Sequence, residues 1–516
     1  MRRSSINSRP MLLVLLCGLL LPAACIGVAR PAAAFGMFGF GHMGGFHGPA
    51  PGGGGQWRRM PAPRPGGGRF AGRNPRGDGW PSRHPPIGGG VVGGGVIGGG
   101  GGRGPNSNNG AGNGPGRGGV PAQTDQGFMP NEVITAFVPN ATPQAIDQIA
   151  RRYNLTRIES QDFPLIGSSL YRWRIGGSGN VSNVIRALGN ENIVAGVQPN
   201  YVFTLQQEAV ETSADRTSAD KTSANTQGDA AQYVLGELQI EQAHQISTGK
   251  NVLVAVIDSE IDTKHADLGG AVVKSYDALG GGESPHLHGT EMAGAIASHG
   301  KLLGIASGAQ LLAVHAFNDT AGLARGYSFA VYKGLQWAID NNARIVNMSF
   351  AGHADPTLGR MLAAAYGKGV VLIAAAGNAG PQSEPLYPAA DPNVIAVTAT
   401  DSDEHLFAMA NRGRYIAVAA PGVDILALAP GDTYQLTTGT SVAAAHVSGI
   451  AALLLERRPS LKPGDIRAVL ITTAKHLGAA VPDSDFGAGL VNAYSAVTWL
   501  DRKPAEANDA GVQAKQ

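Results

Sequence analysis

Apart from one apolar run at residues 11–21, apolar residues of this 516-residue chain gather into runs only beyond about residue 128, and their spacing divides that part in two. In the first part Glu132-Val133-Ile134-Thr135-Ala136-Phe137-Val138 is strand-like. It leads into Thr142–Ala150, where Thr142 caps a helix and Pro143 takes its first position. Ser169–Ile175 alternates as a half-buried strand does, Val181–Leu188 has a helical spacing, and Val194–Leu205 is a final strand. The order strand, helix, two strands, helix, strand predicts a small ferredoxin-like α+β unit over residues 127–206.

In the second part, residues 232–500, the apolar runs are nearly unbroken. Val252–Ile257, Gln310–Ala316, Ile345–Met348, Val370–Ala375 and Val394–Thr398 read as strands buried on both faces. They alternate with helical stretches such as Ala330–Asn341 and Pro356–Tyr366, which predicts an α/β domain doubly wound about a mostly parallel sheet. In such a sheet reactive groups collect at the carboxyl ends of the strands. Asp258, Ser349 and Asn378 each follow an apolar run and share that rim.

Composition separates these parts from the remainder. The 75 glycines are too many for a uniformly globular chain, and residues 35–126 are mostly Gly, Pro, Arg and Asn, as in Gly88-Gly89-Gly90-Val91-Val92-Gly93-Gly94-Gly95. Such a segment buries too little apolar area to offset its ordering entropy and reads as a disordered linker. Before it, Arg2, Arg3 and Arg9 precede the apolar run Met11–Leu21, and Ala32-Ala33-Ala34 follows, the pattern of a secretory signal over residues 1–34. Export to the periplasm or beyond is the expectation, with a retained anchor or lipidation at Cys25 as alternatives. Both cysteines, Cys17 and Cys25, lie in that segment, so cleavage after it leaves no disulfide. Residues 207–231 carry the repeat Thr212-Ser213-Ala214-Asp215-Arg216 and Thr217-Ser218-Ala219-Asp220-Lys221 and read as a polar tether; residues 501–516 read as a polar tail. A formal net charge of +2 gives no reason to expect a nucleic-acid partner.

The chemistry lies in three segments: Asp258 ending its apolar run, His288 opening His288-Gly289-Thr290-Glu291-Met292-Ala293-Gly294, and Ser441 in Gly439-Thr440-Ser441-Val442-Ala443-Ala444-Ala445-His446. A serine hydroxyl becomes a nucleophile when an imidazole takes its proton, and a buried carboxylate fixes that imidazole's tautomer and stabilises its charge. Each segment alone has a plainer reading, a strand end or a capped helix. Together, in the order Asp, His, Ser, they point to a serine peptidase. An esterase is expected to carry Gly-x-Ser-x-Gly and to place its serine first. His265, His286, His299 and His446 lack comparable context and receive no catalytic role.

The motifs and their order resemble the subtilisin-like peptidases over roughly residues 232–500. The resemblance implies that Asp258, His288 and Ser441 form the triad and that Asn378 donates to the oxyanion. It also implies that Ser349, Phe350, Ala351, Gly352, Ala375, Ala376 and Gly377 line a cleft for protein or peptide substrates. By the same resemblance residues 127–206 are a propeptide, a folding assistant and intramolecular inhibitor removed by cleavage between Leu205 and Gln232, and the enzyme is a monomer. Tyr387-Pro388 matches a segment with a cis bond. Several positions depart from the pattern: Glu260 replaces a glycine and is expected to disturb the backbone and act on His288, while Val442 and Ala445 replace methionine and proline. Glu260 and Ala445 are the only support for an alternative, a catalytically inactive surface or binding protein. The stretch from Ala297 to Gly304 is shorter than the family's calcium loop and lacks Asn or Asp, although Asp267 matches an outer ligand, so neither calcium nor any other cofactor is expected.

Overall fold

The computed structural model describes residues 127–177, 179–205, 232–320, 323–478 and 483–502. The expected signal, Gly-rich segment and tether, and all but two residues of the tail, lie outside the described residues. The first unit runs β1 (Phe128–Phe137), α1 (Pro143–Arg152), β2 (Leu155–Phe163), β3 (Ser168–Ile175), α2 (Val181–Leu188) and β4 (Val194–Leu205). Its strands pair antiparallel in the order β2-β3-β1-β4, the βαββαβ arrangement expected from the sequence. Thr142 and Asn180 cap the two helices through their side chains.

After two short helices, α3 (Tyr233–Glu237) and α4 (Ile240–His244), the chain enters the larger domain. There β5 (Leu253–Asp258), β6 (Val272–Asp277) and α5 (Leu287–Ala297) precede β7 (Gln310–His315), β8 (Phe317–Thr320), β9 (Leu323–Tyr327) and α6 (Ser328–Asp340). Next come β10 (Ile345–Met348), β11 (Phe350–Gly352), α7 (Pro356–Gly367), β12 (Val371–Ala375), β13 (Val394–Thr400) and β14 (Ile416–Pro421). The hairpin β15 (Ile425–Ala429) and β16 (Thr433–Thr437) leads into α8 (Thr440–Arg457), followed by α9 (Pro463–Thr473) and α10 (Ala493–Trp499).

Seven strands form one sheet in the order β14-β13-β12-β10-β5-β7-β6, every pair parallel. One face packs under α5, α8, α9 and α10, with Met292, Ile296, Val447, Ile450 and Leu454 in its core. The other face packs under α6 and α7 through Phe329, Leu335, Leu358 and Met361. Covering both faces is why the central strands are apolar without alternation.

The small unit is buried on both faces of its own sheet. Val133, Trp173, Ile185 and Leu188 pack under α1 and α2, while Ile134, Phe163, Leu170 and Phe203 join the core beneath α6 and α7. Its contact with the large domain also has buried polar fastenings. Gln198 Nε2 donates to Tyr332 Oη and to Asp355 Oδ1, each at 2.8 Å, and Asp355 caps α7 through the N–H groups of Thr357 and Leu358. Lys333 pairs with Glu159 at 2.8 Å.

Glu456, near the end of α8, locks the entry to β5. Its Oε2 accepts from Ser247 Oγ and from the backbone N–H groups of Thr248, Gly249 and Lys250 at 2.6–2.9 Å. The helix that begins with Ser441 is thereby tied to the strand that ends with Asp258. Burial raises this carboxyl's pKa, but the four donors outweigh it and leave the pKa below the ordinary value. A depressed pKa means that the stabilisation is present above the ordinary glutamate range and is lost as pH falls through the folded-state value. In a Ser441→Ala background, Glu456→Ala is expected to cost about 2 kcal/mol, lowering the melting temperature by roughly 4–8 °C at neutral pH. The difference should shrink on acidification, and scanning calorimetry at two pH values measures both effects.

Candidate active site

Asp258 sits at the carboxyl end of β5, completely buried. His288 stands in the first turn of α5, and a close approach brings the two together. A Cβ at Gly289 would lie 2.4 Å from the carbonyl oxygen of Ser259, so only glycine lets this helix come down on the end of β5. Gly289 N–H donates to Ser259 Oγ at 3.0 Å, and His286 caps the helix by accepting from His288 N–H at its Nδ1. In the result, His288 Nδ1 lies 2.7 Å from Asp258 Oδ1, which also accepts from Ser259 N–H at 2.7 Å.

Burial alone would lower the His288 pKa. The charge of Asp258, its hydrogen bond and the charge of Glu291 outweigh that and hold the pKa above the ordinary imidazole value. With Nδ1 on the carboxylate, Nε2 is the ring's reactive end; it is buried and makes no hydrogen bond among the described residues.

Ser441 opens α8, a helix buried along nearly its whole length and therefore apolar all round. Gly439 precedes it with φ 156° and ψ 163°, a conformation open to essentially only glycine. Ser441 Oγ donates to the carbonyl oxygen of Ser349 at 3.3 Å, and Ser349 Oγ donates back to the Ser441 carbonyl oxygen at 2.9 Å. Asn347 Nδ2 supports Ser349 Oγ at 2.9 Å, so the end of β10 is fastened to the start of α8.

Asn378 lies just past β12. Its Oδ1 accepts from Thr440 N–H at 3.0 Å and from Thr440 Oγ1 at 2.8 Å, which turns the donating end of the amide away from Thr440. Gly377, at φ 112°, donates its N–H to Thr440 Oγ1 at 3.1 Å; a Cβ there would meet Asn411 Nδ2 at 2.8 Å. Ala375, Ala376 and Gly377 are buried at the end of β12 beside this contact.

Phe350, Ala351 and Gly352 form β11, which pairs antiparallel with the last residues of β4 in the register Phe350↔Leu205, Ala351↔Thr204 and Gly352↔Phe203. On its other edge β4 pairs with β9, Val202↔Tyr327, Phe203↔Gly326 and Thr204↔Arg325. The end of the small unit is thus an added strand between two strands of the large domain, one of which begins directly after Ser349. Phe203 is fully buried edge-on against Phe350, their ring centroids 5.5 Å apart.

Two expectations about Glu260 are corrected. Its φ is not positive, so the backbone accommodates the side chain without strain. The carboxylate turns to His315, 3.5 Å from Nδ1, where Asp277 and Glu283 also approach at 3.2 and 3.6 Å. Parallel pairing of β5 with β7 sets Asp258 opposite His315 and draws Glu260 to that side. The carboxylate that acts on His288 besides Asp258 is Glu291. Ala445, one turn after Ser441 on α8, is fully buried in the core. Sequence reasoning gave no role to Ser259, Thr440 or Glu291, each of which bonds to a partner distant in sequence, and did not read the capping of α5 by His286, which acts on His288 two residues on. The Tyr387–Pro388 bond is cis.

Asp267, which matches an outer calcium ligand in the family pattern, accepts from Leu302 N–H at Oδ2, 2.9 Å, and from Tyr434 Oη at Oδ1, 3.2 Å. Burial pulls the pKa of His446, beyond Ser441 on α8, down to about 4, and its Nδ1–H donates to the Pro421 carbonyl oxygen, 2.9 Å away.

Residues 249–489 match the family model described as the subtilase family. Subtilisin E of Bacillus subtilis (strain 168) is 38% identical over 277 residues, 51% of this chain and 70% of that protein. A thermophilic serine proteinase of Bacillus sp. (strain AK1) is 30% identical over 382 residues, 72% of this chain and 88% of its own length. Among solved structures, fervidolysin from Fervidobacterium pennivorans, a keratinolytic enzyme related to subtilisin, superposes with a TM-score of 0.61 at 26% identity. That similarity covers 74% of this chain and 62% of fervidolysin. Fold, motif order and these relatives agree: the chain belongs to the subtilase family and is a serine endopeptidase.

Proposed function

We propose that the chain is an exported zymogen whose catalytic residues are Asp258, His288 and Ser441, with Asn378 and the Ser441 backbone N–H as oxyanion donors. The observation that carries this reading is the 2.7 Å contact between buried Asp258 and His288, on the same rim as Ser441 and Asn378. His288 Nε2 takes the Ser441 proton as Oγ attacks the peptide carbonyl, Asp258 stabilises the imidazolium, and Asn378 donates to the developing oxyanion. His288 then protonates the leaving amine. Water, activated by the same nitrogen, hydrolyses the acyl-enzyme. No step needs a cofactor.

The substrate lies extended between β11 and β9, contacting Ser349, Phe350, Ala351 and Gly352, with Ala375, Ala376 and Gly377 walling the first pocket. In the precursor β4 occupies this place. Residues 127–206 therefore serve as a propeptide that blocks the cleft, and maturation cuts between Leu205 and Gln232, freeing a monomeric domain of about 270 residues with a core large enough to stand alone. Among the described residues no helix is long and apolar enough to cross a membrane, and the export reading rests on the sequence pattern of residues 1–34.

Expressed without residues 1–34, the wild-type protein is expected to shorten to a form beginning between residues 206 and 232, while Ser441→Ala remains intact. Intact-mass spectrometry over several hours checks this, and a mature N-terminus upstream of residue 200 removes the propeptide reading. Asn378→Ala should lower kcat about 10²- to 10³-fold, the magnitude known for loss of such a donor in subtilisin, with KM little changed. His288 must be neutral to act as a base, and its folded pKa is raised. Activity is therefore present above that pKa and lost as pH falls through it, and the acid limb of kcat/KM should lie above the ordinary imidazole range. A limb at or below that range contradicts the assignment.

A further inference from the structure

Glu291 is a carboxylate with no accessible surface in a helix that is otherwise apolar beyond its first turn. Burying such a charge is costly unless it is bonded and has a purpose. The bonds come from β16: Gln435 Nε2 donates to Oε1 and Thr437 Oγ1 to Oε2, each at 3.1 Å. Thr437 lies four residues before Ser441, so Glu291 joins the helix carrying the base to the strand that delivers the nucleophile. Glu291 also stands three positions after His288 on α5, the spacing that brings two side chains onto one helix face, about 5–6 Å apart at Cβ.

We propose that Glu291 is a second positioning carboxylate for His288, holding its helix to the strand that leads into Ser441 and sharing with Asp258 the countercharge for the imidazolium formed during turnover. The inference rests on the triad reading above. It gives the segment His288-Gly289-Thr290-Glu291 a use that the three reacting residues do not require.

Burial and the charge of Asp258 raise the Glu291 carboxyl above its ordinary pKa, while His288 and the two donors from β16 pull it back towards ionisation. His286, the cap of α5, is a neighbouring cation-former rather than a countercharge, its pKa lowered by burial and by the charge of His288; the other titratable groups around α5 are bonded elsewhere. His446 of α8 is held neutral beside Pro421, Asp267 is bonded to Leu302 and Tyr434, and His315 of β7 faces Glu260, Asp277 and Glu283. That leaves Asp258 and Glu291 as the two carboxylates whose charge acts on His288.

The test is the pH profile of kcat/KM for mature Glu291→Gln, an isosteric change that removes the charge and keeps a group able to bond to β16. The acid limb is expected to move down by roughly one pH unit, because the imidazolium loses one countercharge, and plateau kcat to fall several-fold. Glu291→Asp should restore the limb towards its original position. Thr437→Val removes one donor that favours ionised Glu291 and should move the limb the same way by less, which keeps the test open if Glu291→Gln does not fold. Melting curves in a Ser441→Ala background report folding separately. An unmoved limb in folded Glu291→Gln, or in Thr437→Val should the former not fold, overturns the proposal and leaves Glu291 as a structural tie. Activity retained by Ser441→Ala would instead overturn the triad reading and this inference with it.

Discussion

The pairing of a buried carboxylate with a buried imidazole is the constraint to which the rest of the domain answers. Asp258 and His288 come from different elements, and neither tolerates the interior without the other. A contact of 2.7 Å between them requires β5 to end where α5 begins its first turn, Gly289 to lack a side chain, and Ser259 to accept the Gly289 N–H. The parallel sheet supplies the strand end, and the close packing of α5 against α8 brings the serine-bearing helix to the same rim. Glu456 fixes the far end of that arrangement by binding the turn before β5 from the last turn of α8. The rim is thus braced from both ends, and on the proposed reading its catalytic side chains approach their places before any substrate is bound.

The small unit meets this rim as a strand. Antiparallel pairing on both edges of β4 satisfies backbone groups of β9 and β11 that an extended peptide would otherwise satisfy. Buried contacts at Gln198, Asp355 and Tyr332 hold the unit on α6 and α7. On the proposed reading as a propeptide, one surface docks the unit while the end of β4 fills the cleft, and cleavage beyond β4 would leave the docking contacts in place, so that release would follow as a distinct event.

Much of this was legible in the sequence, for physical reasons that also explain the gaps. Strands buried on both faces leave continuous apolar runs, so the central sheet and the rim position of Asp258, Ser349 and Asn378 could be read directly. β2 was expected to exist but could not be placed, because Leu155–Phe163 is an edge strand with mostly polar, partly exposed side chains. The β8-β9 and β15-β16 hairpins left no clear trace because each strand is only four or five residues long. Glu260 was read against the wrong histidine, since its partner depends on which strand lies beside β5 and not on separation along the chain. Glu291 was visible as a letter in the histidine motif, but its bonds to Gln435 and Thr437 span about 145 residues.

The account stands most directly on Ser441 being activated by His288. Mature protein treated with a serine-directed fluorophosphonate, digested and mapped by mass spectrometry, should carry the adduct on Ser441, and His288→Ala should lose nearly all labelling while remaining folded. Labelling at another residue, or undiminished labelling of Ser441 in His288→Ala, would contradict it.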